Sequence, residues 1–478
     1  MKIFFWVFFL SNFFSLRAQQ VEISNPSHLP NRTGKFKVIG KNNDGIIVRL
    51  YGTVDVINVY NDDLRLIATK NIEFKNQDGM LQHIMLNKTG AVIFYLQQDK
   101  KYSVLFAQPV NSKFIEIGKA ITIDTIFDRK DMVAQNLRFK TSADQNFTFI
   151  FYPLFSGGEV QTAKFICVDH SLKINYNKLV PLVRDESTME ESKLLNDNEG
   201  NSFLILKPGK EKTHHTFDVF RISISGEFSN YTITTEKEIF NEPWFETDNK
   251  NGNLVMCALY DDKKNLEDVA NGFMYSSFNP ENGAPVKTQY TQFPKEFVNE
   301  LTGRETKDEG KLYTFGVKKV ILRNDGGALV LAESFIKDTR ESAIPVGMQP
   351  GFNTYVRTTI YQYNDIIAFS LNPNGDLEWR NILRKKQSSE DDNGIYSSFF
   401  IVNEKDKLRL LYLDDISSSG ILNQYILTST GKADRTVIAN QEEKDVFLLP
   451  KMGKQISPNE VVVPSYKNGE LRLAKIIF

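Results

Sequence analysis

The sequence predicts an all-β fold: a single β-propeller of about eight four-stranded blades, its ring closed by the N-terminal strand of the mature chain. Three observations predict it. An Asn/Asp/Gly turn feeding an apolar strand recurs at Asn43-Asp44-Gly45 before IIVRLYG, Glu199-Gly200-Asn201 before SFLILK, Asn251-Gly252-Asn253 before LVMCALY and Asn324-Asp325-Gly326-Gly327 before ALVLAES. A second glycine turn separates two later strands at Gly226, Gly283, Gly375 and Gly431. Both residue types accept the positive φ that tight hairpins need. Between the turns lie short runs rich in β-branched and aromatic residues, such as AVIFYLQQ, YSVLFAQPV, FTFIFYPLF, KLRLLYLD and EVVVPSY. Helical periodicity is nearly absent; its best candidate is PKEFVNEL, Pro294 to Leu301.

The elements follow in order. Residues 1–18 read as a signal peptide: Met1-Lys2, the apolar run IFFWVFFLSNFF, then Leu16-Arg17-Ala18 before Gln19-Gln20. The run is too short for a membrane span, no second apolar run of that kind follows, and no cysteine stands at the cleavage point for a lipid anchor. The mature chain, 19–478, is then an exported propeller domain with no integral membrane span. Val21-Glu22-Ile23-Ser24 is expected to supply the outer strand that the last blade lacks, because VFLLP, EVVVPSY and ELRLAKIIF end the chain one strand short. Blades are expected to begin near residues 33, 79, 135, 193, 245, 313, 396 and 445. Cys167 and Cys257 fall in the third and fifth of these and are read as buried free thiols. Phe478 ends a propeller strand rather than a membrane barrel, since the dyad alternation of barrel strands is missing.

Charge excludes some partners. Loss of Lys2 and Arg17 moves the formal net charge of −1 only two units further negative, which argues against nucleic acid and anionic membranes. The five histidines (His28, His83, His170, His214 and His215) show no metal-ligand spacing. No nucleophile elbow, SxxK pair, Walker loop or dinucleotide fingerprint occurs, so no catalytic, cofactor-binding or metal residue is assigned and the chain is expected not to be an enzyme. The acidic pairs Asp261-Asp262, Glu390-Asp391-Asp392 and Asp414-Asp415 read as solubilising loop charges.

Loop lengths point to a working face. In a four-stranded blade the connections between strands two and three, and from blade to blade, share one side of the ring. The long segments fall there: Lys207 to Thr216, Asp261 to Gly272, Phe335 to Tyr361, Asp414 to Leu422, Val183 to Leu195, Pro294 to Gly310 and Lys386 to Gly394. Residues 335–361 form the longest insertion, a Pro/Gly-broken loop carrying Ile344, Val346, Met348, Phe352 and Tyr355. These five are the candidate partner-binding residues, with a cap over the ring channel as the competing reading.

Gly375 to Trp379 resembles the Gly-x-x-x-Trp docking motif of quinoprotein-like propellers, which implies that Trp379 stacks against the next blade. Asn230, Lys287 and Arg435 stand four residues after the other three turn glycines, so no tryptophan girdle and no quinone cofactor are implied. With its signal peptide ending in AQ and its NGD-type hairpins, the chain is similar to exported propellers of gliding-type Gram-negative bacteria. That resemblance implies a periplasmic role, associated with the outer membrane, as a plug-like component of the type IX secretion translocon. The expected function is a non-catalytic module that binds an envelope or outer-membrane protein through its elaborated face. A carbohydrate-binding or glycoside-active propeller, with a glycan as ligand, is the alternative.

Overall fold

In the computed structural model the structure describes residues 19–478 except 30–34, 75–78, 100, 128–129, 157–158, 186–188, 190–191, 208–212, 263–268, 306–311, 346–352 and 418–419. The signal-peptide reading of residues 1–18 lies outside the described residues.

The chain folds as antiparallel sheets in sequence order, most of them four-stranded. Their first strands are Phe36–Lys41, Gly79–Asn87, Arg138–Thr141, Lys193–Asn196, Phe315–Leu322, Phe400–Asn403 and Lys454–Ser457. The strand Phe228–Asp248 is the exception, for it belongs to two successive four-stranded sets. Its first half pairs with Thr213–Ile222 and its second half with Asn253–Asp261. TITTEKEIFNEP bends at Asn241, at φ 60°, and its register shifts between Phe240 and Trp244, but the strand does not end there, so the outer strand of one set runs on as the inner strand of the next.

Each sheet buries one face against its successor, which is how a ring of sheets acquires a core with no single centre. Leu329, Leu331 and Ile366 meet Leu408, Leu410 and Tyr412 of the following sheet. The last sheet meets the first: Val462 and Leu473 pack with Val38 and Val48, all between 0% and 5% exposed. The ring is therefore closed, as a β-propeller requires. First strands also touch one another around the axis, Phe36–Lys41 against both Lys454–Ser457 and Gly79–Asn87.

The N-terminal strand makes the last sheet complete. Gln20–Ile23 pairs antiparallel with Glu470–Ile477 from Gln20↔Ile477 to Ile23↔Ala474. Ser24 continues the link, its amide donating to the Leu473 carbonyl and its Oγ accepting the Leu473 amide, both at 2.9 Å. Ser27–His28 adds a further bridge to the same strand.

Turn chemistry follows the expectation at the glycines, with Gly226, Gly375 and Gly431 at φ 84°, 85° and 83°. The helix expected at 294–301 is Lys295–Thr302; Pro294 precedes it, Phe297, Val298 and Leu301 are buried, and Gly303 closes it at φ 66°. A second helix, Lys130–Asn136, was not expected, since seven residues are too few to display a helical period. Cys167 and Cys257 are buried and unpaired in separate sheets.

Candidate functional site: the elaborated face

The insertion at 335–361 is not a Pro/Gly-broken loop, and the described parts do not fold back as a cap. Strands Ala328–Pro345 and Asn353–Leu371 run on beyond their sheet as a two-stranded antiparallel arm, paired without interruption from Phe335↔Tyr363 to Pro345↔Asn353. The sequence explains this. YVRTTIY is rich in β-branched and aromatic residues, KDTRES is polar and suits a solvated edge, and prolines and glycines begin only at Pro345, the last residue of the first strand. Lys337 to Ser342 and Tyr355 to Arg357 are exposed, so both surfaces of the ribbon face solvent. Tyr355 is 70% exposed and Val356 42%. Ile344 lies on the first strand, in register with Thr354. Val346, Met348 and Phe352 lie outside the described residues.

The base of the arm is rigidly held. Strand Gln387–Glu390, in the segment read as a blade connector, pairs with Ile360 to Tyr363. Asp391 accepts the Thr359 amide at 2.8 Å and returns its own amide to the Thr359 carbonyl at 2.9 Å. The Tyr361 hydroxyl donates to Asn393 Oδ1 at 3.0 Å. Phe335 and Tyr363 pack ring to ring at 4.6 Å, and the Lys318 and Lys451 ammonium groups sit over Tyr363 at 5.9 and 5.2 Å.

Beneath the rings lies a fully buried ion pair, Lys385 Nζ to Glu333 Oε1 at 2.8 Å, both side chains 0% exposed. Lys385 also donates to the Tyr363 carbonyl at 2.8 Å and to Gln387 Oε1 at 2.9 Å, and Ser398 donates to Glu333 Oε2 at 2.6 Å. Burial lowers the Lys385 pKa and Glu333 opposes that shift. Lys451 is likewise lowered, by burial and by Lys318. Arg384 ties the arm's sheet to the helix Lys295–Thr302, donating to the Leu301 carbonyl and to Asp365 at 2.6 and 2.8 Å. Cations suit helix C-termini because unpaired carbonyls collect there.

The remaining candidates are engaged locally. Asp414 pairs with Arg435 at 2.7 Å, Asp262 with Lys237, and Asp392 accepts from Ser389 and from the Gly394 amide, both at 2.8 Å. Among the described residues no three His, Cys, Asp or Glu side chains could hold a metal, and no helix is long and apolar enough to cross a membrane.

On the opposite side of the ring, Trp379 does what the docking motif implies. It covers Gly431 of the next sheet and donates from Nε1 to the Ser429 carbonyl at 2.9 Å; a Cβ at Gly431 would lie 2.6 Å from its ring. Two dissimilar residues make the same latch. Tyr231 covers Gly283 and donates to the Pro280 carbonyl at 2.9 Å, while Lys287 covers Gly375 and donates to the Pro373 carbonyl.

No family model matches the chain, and no curated protein does. Solved structures are similar in fold alone. Polysaccharide lyase Uly1 is 10% identical with a TM-score of 0.38, covering 83% of this chain and 89% of its own. An oligogalacturonate lyase in complex with manganese is 7% identical with a TM-score of 0.36, covering 95% and 98%. Pyrococcus horikoshii acylaminoacyl peptidase is 9% identical with a TM-score of 0.36, covering 94% of this chain and 58% of its own. Such likeness carries no activity over to this chain. It does correct the expectation that the chain is not an enzyme: that expectation rested on missing motifs alone, and the similar structures include lyases and peptidases beside proteins of unknown function.

Proposed function

We propose that this protein is a binding propeller, of about eight blades, that engages a protein partner through the arm on its elaborated face. One observation carries the reading: a ribbon exposed on both surfaces at 337–342 and 355–357 rises from a base held by paired strands, stacked rings and a buried ion pair. A solvated two-stranded ribbon gains little stability for the ring by itself, so its rigid mounting supports a role in contact. Among the described residues, beyond Phe335, whose amide donates to the Thr314 carbonyl, the outer edge of Ala328–Pro345 pairs with no further strand, and before Thr359, which Asp391 holds, neither does the opposite edge. Such edges accept an added strand, and Lys337, Asp338, Arg340 and Glu341 are the kind of charges that keep them from pairing indiscriminately. Ile344, Val346, Met348, Phe352 and Tyr355 belong to the proposed contact. Export to the periplasm, association with the outer membrane and a plug-like place in type IX secretion belong to the same proposal and rest on the sequence resemblance.

Photo-crosslinking from position 355 in intact cells tests this. One protein captured there, and not from the equally exposed Val437 on an outer strand (62% exposed), is the expected result. Equal capture from both positions would refute it.

A further inference from the structure

We propose that the axial cavity between the first strands binds a compact anion carrying two or more negative charges. The cavity, about 450 Å³, is lined by Lys37, Lys41, Arg49 and Lys454, and among the described residues no aspartate or glutamate lines it. That volume is ordinary for a small-molecule site, roughly 300–1,000 Å³. The concentration of cations is local, since the whole chain is balanced at 58 Lys and Arg against 59 Asp and Glu.

Two of the cations are partly neutralised from outside. Arg49 pairs with Asp55 at 2.7 Å and Lys41 with Asp62 at 2.6 Å. Lys37 and Lys454 have no carboxylate within 4.0 Å among the described residues. Arg49 is 7% exposed and donates to the Leu81 carbonyl at 2.7 Å, yet its Nε has no hydrogen-bond partner. A buried guanidinium N–H without an acceptor is destabilising, and a bound anion supplies the acceptor. Gln82 and His83 share the wall, the His83 ring stacking on Phe139 at 4.8 Å with 5° between the planes, while Gln455 and Ser142 beside them are bonded to Asn403 and Asp144.

The electrostatics agree with the geometry. Burial, then Lys454 and Arg49, lower the Lys37 pKa; burial, then Lys37 and Arg49, push His83 down to about 4. The cations repel one another across the cavity, and an anion among them relieves that repulsion. This inference is independent of the arm, which lies on other residues.

Calorimetric titration of the full chain with citrate and, separately, with pyrophosphate at about 0.15 M ionic strength tests it. At least one is expected to bind at one site per chain. Citrate alone assigns a carboxylate ligand, pyrophosphate alone a phosphate ligand, and both a general multivalent anion. Lys37→Met and Lys454→Met should each weaken binding about tenfold or more, as loss of a charged contact does. Lys432→Met, on an exposed turn, should change it by less than about twofold. The His83 ring, followed by NMR in the unmodified protein, should titrate above 4 when the ligand is present. No binding of either probe at millimolar concentration, or undiminished binding by the Lys37→Met/Lys454→Met double variant, would overturn the proposal.

Discussion

Lys385 and Glu333 show what a single pair does for the mounting of the arm. Both charges lie wholly out of water, and their partners are Tyr363 in the arm base, Gln387 in the strand paired with it, and Ser398 further along the chain. Lys385→Met would leave Glu333 buried without its counter-ion, a loss of about 3–5 kcal/mol. Chemical denaturation should show that loss, and Lys385→Met/Glu333→Gln should recover much of it because no unpaired charge remains. Unchanged stability of the single variant would mean that the pair is not buried. Nothing in the sequence announced this pair, since the partners stand 52 positions apart with the whole arm between them. The inter-sheet latches were half legible for a related reason. Trp379 stands out by its spacing from Gly375, whereas Tyr231 and Lys287 make equivalent contacts with chemically different side chains. What the turn requires is a long side chain with a donor at its end, and tryptophan is only one way to meet that requirement.

Elements were legible in proportion to how local their causes are. Glycine turns and strand alternation act over a few residues, so the sheets begin close to the expected positions. The insertion was misread because its prolines and glycines were taken to break the whole segment, whereas they begin only at Pro345, where the first strand ends. The closing strand was read correctly because the last sheet lacks a member and Gln20–Ile23 has the pattern to fill it. Val21 and Ile23 pack against the core that holds Val461, Val463 and Ile476. Deleting residues 19–26 removes that packing and exposes an edge, at a cost on the order of 3 kcal/mol or more. Thermal melting should register a clear drop; an unchanged melting temperature would mean that the strand does not close the ring.

At the scale of the whole molecule, a ring of sheets divides labour between its parts. Packing between neighbours supplies stability, which leaves the axis and the long connections on one side available for recognition. The axial cations could not be recognised from sequence because they come from strands more than 400 residues apart, Lys37 and Lys454, with nothing local to distinguish them from other surface lysines. The arm is the other product of this arrangement, and its role in partner binding is the central claim. Purification of the tagged chain from gently solubilised envelopes, beside a variant in which a short turn replaces residues 337–359, tests that claim most directly. The account predicts a stoichiometric partner with the full chain, its loss with the shortened one, and closely similar melting temperatures, because the removed ribbon is solvent-exposed along most of its described length. A partner retained by the shortened chain would contradict it.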